Sequence, residues 1–180
     1  MSVKSKLVTV LAGLFSKELT IVLVAMLPIL ELRGAIPLGI LGEDVRLFGI
    51  HGFGMHPLKV YMLALLGNMI PVYWLLVFLK KFFHRLQTMR FVGKFFKWWF
   101  ASVERRSGII QRWGFWGLVC FVAIPLPVTG AWTGAAAATL LEIDTKKACI
   151  AIFLGVACAG FIMTALSLSP EVFISWFTSI

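Results

Sequence analysis

Glu31 and Arg33 stand two residues apart in "PILELRGAIPLGILG", residues 28–42, inside an otherwise apolar run. Ionisable groups in such surroundings are expensive, and they face a protected cavity or a partner. Arg33 offers forked donors that match phosphate oxygens. Glu31 offers a carboxylate that can take up and release a proton, the group through which protons would couple to transport. Pro28, Pro37, Gly34, Gly39 and Gly42 punctuate the same stretch. Helix breaks at Gly34 and Pro37 would free backbone amides, and a half-helix starting there would add partial positive charge. Arg33 and the amides around Gly34 therefore form a candidate anion cradle. At two residues' spacing Glu31 and Arg33 do not share a helix face, so a simple intrahelical pair is not expected. A structural pair holding a hairpin tip is the plain alternative.

A second stretch, "PLPVTGAWTGAAAA" at residues 125–138, supplies only neutral groups. Pro125 and Pro127 end a helix, and Thr129, Thr133, the Trp132 ring nitrogen and the backbone at Gly130 complete the candidate binding set. Small residues from Gly134 to Ala138 also permit close helix packing with no ligand at all.

The elements that must position these residues lie in a bilayer. Of 180 residues, 60% are hydrophobic and 14% charged, and the mean hydropathy is +0.94. Soluble chains sit nearer half apolar and a quarter charged. The expected class is all-α integral membrane. Cys120, Cys149 and Cys158 all fall in apolar segments without motif spacing and read as small core residues. "MSVKSKLVTVLAGLFSK" is a poor cleavable signal, because "LTIVLVAML" extends its hydrophobicity.

Four apolar stretches stand out, at 19–42, 60–79, 113–141 and 148–168. About 20 apolar residues cross a bilayer, and 60–79 and 148–168 read as ordinary spans. The other two are broken near their centres. At an offset of 96, Gly34-Ala35 falls on Gly130-Ala131 and Arg33 on Thr129. Each broken stretch precedes an acidic loop, Glu43-Asp44 or Glu142/Asp144, and then a span carrying Gly67 or Gly155. Paired interrupted segments are the sequence sign of an inverted-repeat transporter site. The expectation is one membrane domain: repeat 1 at 17–79, a basic amphipathic helical connector at 80–112, repeat 2 at 113–168 and an amphipathic tail at 169–180. Each repeat is a re-entrant hairpin followed by a transmembrane helix. Full spans at 19–42 and 113–141 are equally allowed by length. Lys4, Lys6 and Lys17 favour a cytoplasmic N-terminus, against the double hairpin.

The connector holds nine of the seventeen basic residues against the single acid Glu104. Basic clusters beside spans mark the cytoplasmic side. "KFFKWWF" suits a headgroup interface and anionic lipid rather than nucleic acid. His51 and His56 share a glycine-rich loop with Glu43 and Asp44 but lack a firm metal spacing. His84 reads as interfacial. Asn68, beside Gly67, reads as a packing residue or a cavity lining. No nucleotide loop, nucleophile elbow or HExxH pattern occurs, so no cofactor, metal or enzymatic activity is expected.

"ELRGAIPLG" and "PLPVTGAWTGA", at this separation, resemble the small multidrug export proteins, a family similar to the broader DedA-like (SNARE-associated/VTT) membrane proteins. The resemblance covers about residues 17–165. It implies facing inverted re-entrant hairpins and a transport role, and the expected location is a prokaryotic plasma membrane. For the DedA-like relatives it implies moving a polyprenyl phosphate carrier lipid such as undecaprenyl phosphate, with a link to proton-motive force. The family's acidic hairpin position maps onto Glu31. The second-hairpin arginines of DedA-like proteins have no counterpart here, where Thr129 and Thr133 stand; Arg33, or Arg105, Arg106 and Arg112, would have to substitute. The favoured expectation is a flippase for an anionic lipid carrier, with Arg33 and hairpin amides on the phosphate and Glu31 coupling protons. A proton-coupled exporter of hydrophobic cations and a non-transporting membrane scaffold are the alternatives. So small a chain also suggests a homodimer.

Overall fold

A computed structural model describes residues 3–43, 45–47, 50–88, 108–124, 130–169 and 171, without the side chains of 3–5, 46, 50 and 82–88. Seven helices are seen among them: α1 (Val3–Leu14), α2 (Lys17–Met26), α3 (Glu31–Ile40), α4 (Pro57–Thr88), α5 (Gly108–Ala123), α6 (Ala131–Leu140) and α7 (Thr145–Ser167). The loop after α3 adds one feature that the all-α expectation omits. This is a two-residue antiparallel ladder, β1 (Arg46–Leu47) on β2 (Ile50–His51).

Two of these helices, α4 over Pro57–Lys81 and α7, are long and apolar enough to cross a membrane. Their outward side chains are not those of a water-soluble fold: Leu66 is 63% exposed, Trp74 68% and Phe161 71%. Apolar surface repeated along both helices suits contact with lipid. The chain is a membrane protein.

The chain divides into two compact units, one of Met1–Met69 with Cys158–Ile180 and one of Ile70–Ala157. In the first unit, Ser16 separates α1 from α2 and caps α2, its Oγ accepting from the Leu19 amide at 3.3 Å. Leu27 ends α2 in an extended conformation, φ −74° and ψ 129°. Pro28 accounts for this, since a following proline disfavours the helical region. After the four-residue turn α3 folds back, so that Gly39 late in α3 faces Ile21 early in α2. The two form an antiparallel hairpin. Each helix has ten residues and rises about 15 Å, half of a hydrocarbon core about 30 Å thick. The loop beyond covers the end of α3: the amides of Phe53, Met55 and Gly54 donate to the carbonyls of Leu38, Gly39 and Leu41.

In the second unit, α5 is bent at Gly114 (φ 52°, ψ −120°), and Leu118 and Val122 in the turns after it pack on α6. Gly130, at φ 148° and ψ −171°, precedes α6 in a region that glycine alone enters freely. The far end of α6 closes with Glu142 left-handed at φ 54°; the Ile143 amide donates to Ala138 O at 2.9 Å and the Glu142 amide to Thr139 O at 3.2 Å. These two bonds make a Schellman motif. Ala135, Ala136, Ala137 and Ala138 are wholly buried, and Gly134 faces Val122 and Leu118 of α5 and Ile152 of α7.

The expected connector 80–112 is described only at its ends, where α4 runs on to Thr88 and α5 begins at Gly108. Residues 89–107 and most of the expected tail 169–180 lie outside the described residues.

Candidate functional site

The turn between α2 and α3 places Glu31 first in α3, and its backbone is left-handed at φ 46°. Non-glycine residues are uncommon there, and the strain costs about 1–3 kcal/mol. The same twist brings Glu31 and Arg33 together despite their spacing, as in the plain alternative of a pair at a hairpin tip. Arg33 Nη2 stands 3.9 Å from Glu31 Oε2, because Glu31 departs from regular helix and its side chain is not carried around by 100° per residue. The contact is long for an ion pair. The Glu31 side chain keeps 7% of its surface accessible and Arg33 23%, so the guanidinium is the more approachable partner.

The expected helix break at Gly34 and Pro37 does not occur. Both lie inside α3, and the break falls upstream at Leu27–Leu30. The amide cradle is correspondingly smaller than expected: the Glu31 amide donates to Leu27 O and the Gly34 amide to Leu30 O, each at 2.9 Å. Pro37 brings no N–H to the Arg33 carbonyl one turn back. Gly34 itself is a close-packing position, where a Cβ would stand 2.8 Å from Leu30 Cβ.

In the other unit, Gly130 caps α6, Trp132 and Thr133 are half-buried in its first turn, and Thr129 lies outside the described residues. The Thr133 hydroxyl donates to Gly130 O at 3.1 Å. Gly130 stands before its helix, whereas Gly34, set beside it at the offset of 96, lies inside one.

At the C-terminal side of α4, the Lys80 ammonium donates to the Ile143 carbonyl. Asp144 caps α7 by accepting from the amides of Lys146 at 3.0 Å and Lys147 at 3.2 Å. The amide of Lys147, then that of Lys146 and the charges of Lys80 and Lys147, hold the Asp144 carboxyl below its usual range. Lys80, Lys146 and Lys147 thus gather at one end of this unit.

A family described as "Putative small multi-drug export protein" matches residues 31–162, well over half of the chain. The chain belongs to this small multi-drug export family. No curated protein and no solved structure matches it. The family match begins on Glu31 and spans the described site residues of both units. In this exporter-family chain, sequence reasoning passed over the bond from Lys80 to Ile143, which no local pattern announces. Asn68, read as a packing residue or a cavity lining, is fully buried, with no partner on either polar atom among the described residues.

Proposed function

We propose that this chain is a proton-coupled membrane transporter that moves an amphiphile with an anionic headgroup, of the polyprenyl phosphate type, between leaflets. One observation carries the reading: a carboxylate held in strained backbone, nearly enclosed, beside a more accessible guanidinium at the tip of two half-length helices. An anionic headgroup meets Arg33 first and competes with Glu31 for it. Displacing Glu31 from Arg33 favours its protonation, which links headgroup binding to proton uptake.

The helix pair α2–α3 is read as a re-entrant hairpin, supported by its length and by charged and polar contacts at its open end, where Glu18 meets Lys59 at 2.7 Å. The pair α5–α6 is read as its inverted repeat. Lys80, Lys146 and Lys147 support a cytoplasmic location for that end of α4 in a prokaryotic plasma membrane. A homodimer would complete a pathway in so small a chain.

The family description favours a second reading, export of hydrophobic cations, in which Glu31 binds the cation. Reconstitution in proteoliposomes with labelled polyprenyl monophosphate separates the two. The proposal expects lipid translocation that accelerates with an imposed proton gradient and is lost in Arg33→Ala and Glu31→Gln. Translocation as fast in both variants as in the parent refutes the assigned roles. Proton-driven accumulation of tetraphenylphosphonium that vanishes with Glu31→Gln, without lipid movement, establishes the cation reading instead.

A further inference from the structure

Asn68 is wholly buried in α4, and among the described residues neither its amide nitrogen nor its amide oxygen has a hydrogen-bond partner. A buried amide left unmade at both ends is a costly defect that packing does not repay, since leucine fills similar space without it. Such a group implies something absent from the apo chain.

Its place in the first unit indicates what. Glu18 pairs with Lys59 near one end of α2, and Gly67 packs on Val22 and Ala25 further along, so α4 runs parallel to α2. Gly39 packs on Val60, so α4 runs antiparallel to α3. Eight residues back from Gly39 and eight forward from Val60 bring Glu31 and Asn68 to about the same depth, at about 1.5 Å per residue. On α4, Asn68 follows Tyr61 by seven residues and shares its stripe. That stripe borders α3 where both meet α7, because the Tyr61 ring and Leu32 each lie against Gly160.

We propose that Asn68 is a further ligand for the transported headgroup, acting with Arg33. An amide both donates and accepts. A phosphate monoester in its monoanionic form presents the complement, charged oxygens together with one P–O–H. The Asn68 nitrogen donates to a phosphate oxygen while its carbonyl oxygen accepts from the acidic hydroxyl, and Arg33 balances the charge. This role rests on the anionic reading above and names the neutral half of that site.

The test is binding of a fluorescent polyprenyl monophosphate to the purified full chain in detergent, with thermal stability measured on the same samples. Asn68→Leu is expected to melt no lower than the parent and to bind about tenfold more weakly, the loss of one hydrogen bond to a charged group. Asn68→Asp, nearly isosteric, is expected to weaken the phosphate probe further and to leave tetraphenylphosphonium binding no weaker. Parental affinity in Asn68→Leu alongside loss in Arg33→Ala overturns the Asn68 role and spares the anionic site. Parental affinity in both overturns the anionic site as well. If Asn68→Leu melts lower, Asn68→Asp decides, and its retained phosphate affinity refutes the proposal.

Discussion

A Cβ placed on Gly67 would stand 2.6 Å from the Val22 carbonyl oxygen, so α4 and α2 touch backbone to backbone. The second unit repeats the relationship: a Cβ on Gly155 of α7 would stand 2.8 Å from the Val119 carbonyl oxygen of α5 and 2.6 Å from Val122 Cβ. In each unit the long helix presents a glycine to the first helix of the short pair. The two glycines are 88 residues apart. Gly67→Ala and Gly155→Ala must each push two helices apart. Overpacking of this kind costs about 1–3 kcal/mol. Melting temperatures of the purified variants are expected to fall comparably in both, while Gly13→Ala, where nothing lies within 4 Å, should not destabilise.

Glu142 occupies the left-handed position of the Schellman motif that ends α6. Glycine is the residue that adopts this conformation without steric cost. Glu142→Gly is expected to raise stability by up to about 1 kcal/mol, read as a higher melting temperature with unchanged transport. A fall in melting temperature would show that the exposed Glu142 carboxylate does more than its backbone position requires.

The two broken apolar stretches, the two plain spans and the charged residues Glu31 and Arg33 were legible because charge and proline are costly in lipid wherever they fall. The position of the break was not. Gly34 and Pro37 look like breakers in a one-dimensional reading, yet α3 runs through both and Pro28 with Leu27–Leu30 makes the turn. A glycine in an apolar helix either bends it or admits a neighbour, and only the neighbour decides: Leu30 for Gly34, Val60 for Gly39, Val122 for Gly134. Pairing of Glu31 with Arg33 was hidden for a related reason, since helical spacing rules presuppose helical φ at both residues. The bond from Lys80 to Ile143 joins residues 63 apart and leaves no local pattern.

Asp144 gives an acid-dependent signal outside the spans. Its carboxyl is held low chiefly by the Lys147 amide, then by the Lys146 amide and the charges of Lys80 and Lys147. A depressed carboxylate contributes stability that is fully present above the ordinary aspartate value, about 3.9, and is lost as pH falls through its lower folded value. Melting temperature should therefore decline on acidification below about pH 4. Asp144→Asn keeps a cap oxygen but loses the charge, and it should show a shallower decline with a lower plateau at neutral pH. An acid limb identical to the parent's would assign the loss to other carboxylates.

Arg33 and Glu31 form the contact on which transport is proposed to turn, and a mutant cycle measures it apart from transport. Each single change, Glu31→Gln or Arg33→Gln, takes this contact from the other charge. Removing one member of a buried pair costs several kcal/mol, whereas removing both is often near neutral. The long 3.9 Å separation and the partly accessible Arg33 reduce the expectation here to about 1–3 kcal/mol for each single variant. The double variant should then be more stable than the sum of the two predicts, with a coupling of about 0.5–2 kcal/mol. Glu31→Gly separates backbone from charge: glycine relieves the φ 46° strain while removing the carboxylate. If it restores stability relative to Glu31→Gln, the strained backbone is held by the pair. Strictly additive variants would mean that Glu31 and Arg33 are held independently, and that the carboxylate's enclosure owes nothing to the guanidinium.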